Sequence, residues 1–422
     1  MSNILVSKPD TRVNGKITLP GSKSESNRAL IMQALCTNPV VIGNLSEAAD
    51  TVTLKTILDN RRHDQTLDVG PAGTAMRFLT AFCAVTPGNW TLTGSQRMKE
   101  RPIGLLADAL RLLGADIEYT ENDGFPPMRI RGKQLDLAGE VHIPGNISSQ
   151  YISALLMIAP MLPRGLKIHL IGTIGSRPYI EMTLAMMGEL GIRHQWNNNT
   201  IEVPQQACQP GTLTIEPDWS GASYWYSMAA LADEADLTLP WLKQQSLQGD
   251  RAIAGIMKTF GVETTFSEGG IRLIRTPQTS TAAGQVPELD FVDCPDLAQT
   301  VISCCVALGR SAIFTGLESL RIKETDRIAA LRNELGKFGA RLTENEEGNR
   351  WELDSSDVQR PAKTPLIHTY DDHRMAMAMA PLAIRLGPLK IADHKVVAKS
   401  YPGFWRDLRE VGFEFNELKT QL

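Results

Sequence analysis

The sequence lacks the features that mark membrane, nucleic-acid-binding or secreted proteins. Its longest apolar runs, Ala154–Leu162 and Met375–Ile384, fall well below the roughly 18 residues that span a bilayer. Its 43 Lys and Arg residues nearly balance 47 Asp and Glu, so no general affinity for nucleic acid or membrane surfaces is expected. Met1–Asp10 has no charged lead-in followed by an apolar stretch, so no secretory signal is predicted and a cytoplasmic protein is expected.

Metal-binding motifs and long linkers are also missing. The six cysteines are scattered, only Cys304 and Cys305 are close, and no CxxC or Cys/His spacing predicts a zinc site. We therefore expect reduced, mostly buried thiols and no bound metal. Because no Ser/Gly-rich or low-complexity segment occurs, any domains are expected to be joined by short hinges.

Length and composition indicate a globular protein of more than one domain. The chain has 422 residues, whereas a single hydrophobic core rarely grows beyond about 250–300 residues. Hydrophobic residues make up 42% of the chain and charged residues 21%, which excludes disorder as its main state.

A weak repeat runs along the chain, in which an amphipathic helix is followed by a glycine and then by a short strand. The glycines are Gly114, Gly191, Gly261, Gly339 and Gly412, and they recur at intervals of about 75 residues. Glycine at this point fits a helix C-cap in the left-handed conformation. The pattern predicts about six related α/β units, although such joints also occur in α/β proteins without repeats.

The first informative motif lies at a predicted helix start. Pro20–Arg28 precedes the apolar segment Ala29–Leu35, and Ser22 with Glu25 matches a capping box. Lys23 therefore lies near a helix N-terminus, where backbone N–H groups favour anions. The spacing is not that of a Walker P-loop, so the alternatives are an anion site of another kind or a solvated basic cap.

Similar polar openings recur before other predicted helices; they are Pro71–Arg77, Gly145–Gln150, Pro295–Asp296 and Tyr370–Arg374. Each opening alone fits ordinary N-capping. Their shared use of Gly, Ser, Thr and Arg is better explained by phosphate or carboxylate ligands.

The densest charge cluster, Arg321–Arg327, leads into the predicted helix Ile328–Phe338. Within it, Glu324 lies between Lys323 and Arg327. A carboxylate between two cations stays ionised near a bound anion, which suits proton transfer beside a phosphate. The alternative is a salt-bridged surface helix start.

The motifs together resemble those of the enolpyruvyl transferase family, in its branch that acts on shikimate 3-phosphate. The matching segments are Leu19–Leu30, Ala72–Arg77, Arg97–Gly104, Ser148–Met157, Ser176–Glu181, Pro295–Ala298, Arg321–Ile328, Asp371–Ala378 and Ala398–Trp405. They occur in family order over nearly the whole chain.

The resemblance implies an α/β, two-lobed fold, each lobe made of three βαβαββ-like units, with the active site in the interdomain cleft. One lobe would be discontinuous, comprising residues 1–19 and 218–422, and the other would comprise residues 20–217. The implied enzyme is a monomer that needs no metal or cofactor and binds neither nucleic acid nor membrane.

The implied reaction transfers the enolpyruvyl group of phosphoenolpyruvate to the 5-hydroxyl of shikimate 3-phosphate through a tetrahedral intermediate, with release of phosphate. The implied catalytic residues are Asp296, which faces the hydroxyl, Glu324, which exchanges a proton with the methylene carbon, and Lys23. The residues implied to bind shikimate 3-phosphate are Lys23, Ser24, Arg28, Ser148, Ser149, Gln150, Ser176, Tyr179, Asp296, Ser319 and Lys323. Those implied to bind phosphoenolpyruvate are Lys23, Gly73, Thr74, Arg101, Gln150, Arg327, Arg374 and Lys399.

Three residues depart from the family pattern. Pro71 replaces an asparagine whose amide helps to hold phosphoenolpyruvate, Phe78 replaces a common proline, and Ser319 replaces an asparagine of the shikimate 3-phosphate pocket. Proline removes both the side-chain donor and a backbone N–H. We therefore expect weaker phosphoenolpyruvate binding or an altered response to glyphosate, which competes with phosphoenolpyruvate in this family.

Two rival interpretations are weaker. The relative that acts on a UDP-linked amino sugar carries a loop cysteine before its Arg-Pro segment, and Gly94–Pro102 has none. A non-catalytic anion-binding protein with the same fold would not need both Asp296 and Glu324.

Overall fold

The computed structural model describes residues 3–62, 64–276 and 286–418. The strands are β1 Asn3–Ser7, β2 Arg12–Lys16, β3 Val40–Gly43, β4 Gln65–Asp68, β5 Gly88–Thr93, β6 Asp116–Tyr119, β7 Met128–Gly132, β8 Glu140–Pro144, β9 Leu166–Ile171, β10 Gln195–Asn197, β11 Thr200–Val203, β12 Gly211–Thr214, β13 Glu234–Pro240, β14 Val262–Ser267, β15 Gly270–Arg275, β16 Glu288–Asp290, β17 Ala312–Thr315, β18 Arg341–Glu344, β19 Arg350–Asp354, β20 Leu366–Ile367, β21 Leu389–Ile391 and β22 Glu414–Leu418. The α-helices are α1 Lys23–Leu35, α2 Ala49–Asp59, α3 Gly73–Val85, α4 Gln96–Lys99, α5 Gly104–Leu112, α6 Ser149–Ile158, α7 Arg177–Glu189, α8 Trp219–Leu231, α9 Ile253–Lys258, α10 Ala298–Ala307, α11 Arg327–Gly336, α12 His373–Met379, α13 Ala383–Leu386 and α14 Phe404–Glu410.

The chain divides into two compact units. Unit 1 comprises Met1–Pro20 and Glu216–Leu422, and unit 2 comprises Gly21–Ile215. Pro20 and the pair Glu216–Pro217 belong to unit 1, whereas the sequence analysis places them in the other lobe.

Both units are built from one repeated α/β pattern. In unit 2 the series β4-α3-β5-α5-β6-β7 forms a sheet of order β4-β5-β7-β6, with β4 and β5 parallel across α3 and the remaining pairs antiparallel. The series β8-α6-β9-α7-β10-β11 has the same plan, as does β16-α10-β17-α11-β18-β19 in unit 1. The predicted α/β class and its βαβαββ-like units are therefore confirmed.

The first helix of each series is buried along nearly its whole length. Every residue of α10 is buried, and so are all residues of α3 except Thr74 and all residues of α6 except Gln150. A helix that is apolar on all sides is stable only when other elements surround it. In these units the burial fixes the helix N-termini, which directly follow the first strand of each series, and many of the predicted site residues lie there.

The recurring glycines adopt the conformation that the sequence predicts. Gly114, Gly191, Gly261, Gly339 and Gly412 all have φ between 74° and 109°. L-residues with a side chain rarely occupy this region, so glycine is needed where each helix turns into the next strand. A Cβ at Gly339 would also lie only 2.5 Å from the carbonyl oxygen of Asp357.

Helices that carry predicted site residues begin earlier than the apolar patterns indicate. Helix α1 begins at Lys23 rather than Ala29, and α3 begins at Gly73 rather than Phe78. The Oγ of Ser22 accepts a hydrogen bond from the backbone N–H of Glu25, so the polar residues after it continue the helix. Lys23 therefore belongs to the first turn, not to a preceding loop.

The cysteine expectation was wrong for one pair. Cys36 and Cys208 form a disulfide with their Cα atoms 5.8 Å apart, while Cys83, Cys294, Cys304 and Cys305 are free and buried. The paired residues are 172 positions apart, so spacing along the chain gave no sign of their contact.

Of the helices in the described ranges, none is long and apolar enough to cross a membrane.

Candidate active site

The centre of the candidate site in unit 1 is the buried guanidinium of Arg327, which is 2% exposed. Its Nε donates to Asp372 Oδ2 at 2.7 Å, its Nη1 to Asp296 Oδ1 at 3.0 Å and its Nη2 to Glu324 Oε2 at 2.8 Å. Burial alone would lower the pKa of Arg327, but the charges of Asp372, Glu324 and Asp296 outweigh it and raise that pKa. Arg327 is thus ionised and joins both predicted catalytic carboxylates.

Each of those carboxylates has a second cationic partner. Asp296 Oδ2 accepts from Arg374 Nη2 at 2.7 Å, and Glu324 Oε1 lies 3.4 Å from Lys399 Nζ. The structure therefore brings five predicted residues of unit 1 into one network of charge-assisted hydrogen bonds. Three cations face three carboxylates in it, once Asp372 is included.

The network has members that the sequence analysis did not assign. Asp372 Oδ1 caps α12 by accepting from the backbone N–H of Arg374 at 2.8 Å, while its Oδ2 binds Arg327. Arg374 also donates to Ser220 Oγ at 3.4 Å and to Tyr224 Oη at 3.5 Å. Ser220 is the second residue of α8. The sequence signal that could have pointed to it is its place at a helix start, where the other predicted site residues also lie.

Asp250 lies behind Ser220 and is 2% exposed. The hydroxyl of Ser220 donates to Asp250 Oδ2, while Oδ1 has no hydrogen-bond partner among the described residues. Burial, and then the negative charge of Asp296, raise the pKa of Asp250 to about 7.

The raised pKa of Asp250 predicts a pH-dependent stability. Between the unfolded pKa of about 3.9 and the folded value the native protein holds one more proton than the unfolded chain, so this carboxyl lowers stability as pH rises from about 4 to about 7. Asp250→Asn removes that slope and keeps an oxygen acceptor for Ser220. Urea unfolding at pH 5 and pH 8 tests this, and an equal pH dependence in both proteins would contradict it.

The two other predicted residues of unit 1 are Ser319 and Lys323. Ser319 is exposed on the 3₁₀ turn Glu318–Ile322, and Lys323 follows that turn directly. Lys323 directly precedes Glu324 in the chain, which places its backbone beside the network.

In unit 2, the predicted residue Arg28 is buried, with 2% of its surface exposed. It donates to Thr183 Oγ1 at 2.7 Å, to Ser153 Oγ at 3.0 Å and to the carbonyl oxygens of Ser24 and Tyr179 at 3.0 and 3.2 Å. These contacts join α1, α6 and α7. Ser24 and Tyr179, both predicted with Arg28, are thereby brought to it.

A second group surrounds the N-terminus of α3. Gln150 Nε2, on the first turn of α6, donates to Thr74 Oγ1 at 3.0 Å. Arg101 is 7% exposed and packs so closely on Gly73 that a Cβ there would lie 2.4 Å from its Nη1. Neither Nε nor Nη1 of Arg101 has a hydrogen-bond partner in the described ranges.

An unpartnered buried guanidinium beside an uncapped helix start is the arrangement expected of an anion site. Ala72, the N-cap of α3, offers no side-chain acceptor to the first N–H groups. Those groups and the guanidinium all attract negative charge.

Lys23 is the first residue of α1, and its Nζ lies 3.5 Å from Asp50 Oδ2.

The remaining predicted residues mark two further helix starts. Ser148 is the N-cap of α6, Ser149 is its first residue, and Ser176 is the N-cap of α7, with a φ of 51°. The Gly175 N–H donates to the Gly145 carbonyl at 3.0 Å, which places the two entry loops side by side.

Solved structures identify the class to which this fold belongs. An EPSP synthase from Acinetobacter baumannii superposes with a TM-score of 0.77 at 20% identity, covering 99% of this chain and 100% of its own. The enolpyruvyl transferase NikO from Streptomyces tendae gives 0.71 at 14% identity, covering 99% of both chains. The fold is that of the enolpyruvyl transferases.

Sequence comparisons define the family more closely. The family model EPSP synthase (3-phosphoshikimate 1-carboxyvinyltransferase) matches residues 7–62 and 55–408. The 3-phosphoshikimate 1-carboxyvinyltransferase of Bacteroides fragilis is 47% identical over 412 residues, 97% of this chain and 98% of the relative. That of Shewanella oneidensis is 36% identical, covering 94% and 97%. The chain belongs to the EPSP synthase family, and the resemblance found in its motifs is confirmed.

Proposed function

We propose that the chain transfers the enolpyruvyl group of phosphoenolpyruvate to the 5-hydroxyl of shikimate 3-phosphate, with Asp296 and Glu324 as its proton-transfer residues. Family membership supports the reaction. The observation that carries the residue assignment is that both carboxylates are hydrogen-bonded to Arg327, at 3.0 and 2.8 Å. One cation thus couples the two groups that must move protons in the same cycle.

Each substrate is assigned a set of binding residues, several of which are cations. Each substrate carries a phosphate of about −1.5 to −2 charge and a carboxylate. Phosphoenolpyruvate is assigned to Lys23, Gly73, Thr74, Arg101, Gln150, Arg327, Arg374 and Lys399, and shikimate 3-phosphate to Lys23, Ser24, Arg28, Ser148, Ser149, Gln150, Ser176, Tyr179, Asp296, Ser319 and Lys323. The unpartnered Arg101 and the buried Arg28 support this assignment most directly.

The ion pairs of Glu324 explain how it gains a proton. Arg327 and Lys399 stabilise its ionised form in the absence of substrate. When the anions of phosphoenolpyruvate bind these cations, Glu324 loses much of that stabilisation, which favours its neutral acid. The same binding step then holds the substrate and prepares the proton donor.

Chemistry proceeds in two stages. Asp296 accepts the proton of the 5-hydroxyl while the hydroxyl oxygen of shikimate 3-phosphate bonds to C2 of phosphoenolpyruvate. Glu324 protonates C3, which becomes a methyl group. In the tetrahedral adduct the bond from C2 to the phosphate oxygen then breaks, and Glu324 takes back a proton from the methyl group. The proton that Asp296 accepted passes to the departing phosphate or to water, which returns Asp296 to its starting form. Cations already in place around the departing phosphate stabilise the charge that develops.

Phosphate release on mixing both substrates tests the function. We expect release only when phosphoenolpyruvate and shikimate 3-phosphate are both present. Failure to release phosphate would favour the non-catalytic anion-binding interpretation, and release with a UDP-linked amino sugar instead would favour the other transferase.

The substitution at Pro71 predicts a measurable defect in phosphoenolpyruvate binding. Pro71 directly precedes Ala72, the N-cap of α3, and is exposed, so an asparagine fits there without repacking. Because one new hydrogen bond contributes about 1 kcal/mol, Pro71→Asn should lower the KM for phosphoenolpyruvate roughly fivefold. An unchanged KM in steady-state kinetics would contradict this, and glyphosate inhibition measured alongside shows whether the inhibitor shares the effect.

A further inference from the structure

Arg28 is a buried cation whose hydrogen-bond acceptors are all neutral. Its contacts with Thr183, Ser153, Ser24 and Tyr179 use four of the five guanidinium N–H groups, which leaves one N–H on Nη1. Burial lowers the pKa of Arg28 to about 10, against the opposing influence of Tyr179 and Glu25, so the group is ionised at neutral pH. Something other than a direct ion pair must help to stabilise this charge.

Two aromatic rings add to the stabilisation that the nearby Glu25 gives. The Cζ of Arg28 lies 5.4 Å from the ring centroid of Phe78 and 5.9 Å from that of Tyr179. Both distances fall within the range of about 6 Å over which a ring face attracts a cation. Phe78 is 1% exposed on α3, so its interaction with the charge is shielded from water.

We propose that Phe78 is a positioning residue that holds the Arg28 guanidinium ionised and in place, so that its remaining N–H binds shikimate 3-phosphate. A ring face stabilises the cation without supplying an acceptor, whereas a carboxylate would both use that N–H and neutralise the charge. The proline implied by the family pattern at this position has no π face. The inference rests on the proposed assignment of Arg28 to that substrate.

A fluorinated series at position 78 tests the proposal without changing the shape of the core. Phenylalanine, 4-fluorophenylalanine and 3,4,5-trifluorophenylalanine are placed at position 78 of the full chain, because fluorine progressively weakens the ring's attraction for cations. We expect the Kd for shikimate 3-phosphate, measured calorimetrically without phosphoenolpyruvate, to rise stepwise to about five- to tenfold. The kcat at saturating substrates should change less than twofold.

Phe82 provides the matched control. It lies one turn further along α3, is 2% exposed, and has the Cζ of Arg61 at 5.7 Å from its ring centroid. Arg61 is not a predicted site residue, so the same series at position 82 should leave the Kd unchanged. A flat series at 78, or an equal rise at 82, would overturn the role of Phe78. Failure of the unmodified protein to bind shikimate 3-phosphate would instead overturn the substrate assignment.

Discussion

Glu324→Gln lowers the turnover number for phosphate release by about 10²- to 10⁴-fold, the usual contribution of a general acid–base group. Glutamine keeps the size and hydrogen-bonding oxygen of the side chain but can neither deliver a proton to C3 nor recover one. It also removes one negative charge facing Arg327 and Lys399. Those cations then have less competition for the substrate anions, so the KM for phosphoenolpyruvate should not increase.

The control for this variant is Glu344→Gln. Glu344 is also held by two cations of unit 1, Arg321 and Arg332, and its side chain is 20% exposed against 14% for Glu324. We expect it to retain nearly full turnover in a continuous phosphate assay, and Asp296→Ala to lose turnover as Glu324→Gln does. Near-normal turnover in Glu324→Gln would remove Glu324 from the mechanism.

Arg327→Met destabilises unit 1 by about 3–5 kcal/mol, the effect expected when one partner of a buried ion network is removed. Asp372 is completely buried and its Oδ2 accepts from Arg327, so the variant leaves a buried carboxylate without its cation. Asp296 and Glu324 lose the same partner but keep Arg374 and Lys399. The loss should be seen as a lower urea midpoint and a lower Tm.

Arg341→Met is the matched control for stability. Arg341 also joins two carboxylates, Asp354 and Asp357, both at 3.0 Å, but its side chain is 62% exposed. Exposed ion pairs contribute about 0–1 kcal/mol, so this variant should unfold almost as the unmodified protein does. Equal losses in the two variants would show that the buried Arg327 network stabilises the protein no more than the exposed ion pairs of Arg341 do.

The architecture could be predicted largely from local patterns. The glycine after each amphipathic helix has a positive φ at all five predicted positions, because the turn it makes is a property of adjacent residues. Helix starts were predicted too late at α1 and α3, since polar first turns resemble loops in the apolar pattern. The Cys36–Cys208 disulfide was missed because only the folded chain brings its ends together.

The structure brings several predicted site residues together, but the partners of those residues could not be predicted from the sequence. The cations and carboxylates around Arg327 were recognisable from their motifs, but its contact with Asp372 spans 45 positions. Likewise Arg28 meets Ser153 and Thr183 across 125 and 155 positions, through the packing of separate helices. Asp250 gave no sequence signal, since its raised pKa comes from burial and from a neighbouring charge.

Solvent deuterium tests the central claim, that Glu324 protonates the methylene carbon and later removes a proton from it. In deuterated water its carboxyl exchanges with solvent, so the C3 methyl group of the adduct receives deuterium and the product's vinyl group retains part of it. Mass spectrometry of the product should show deuterium at C3 for the unmodified protein. A product formed at the normal rate with no deuterium at C3 would contradict the account.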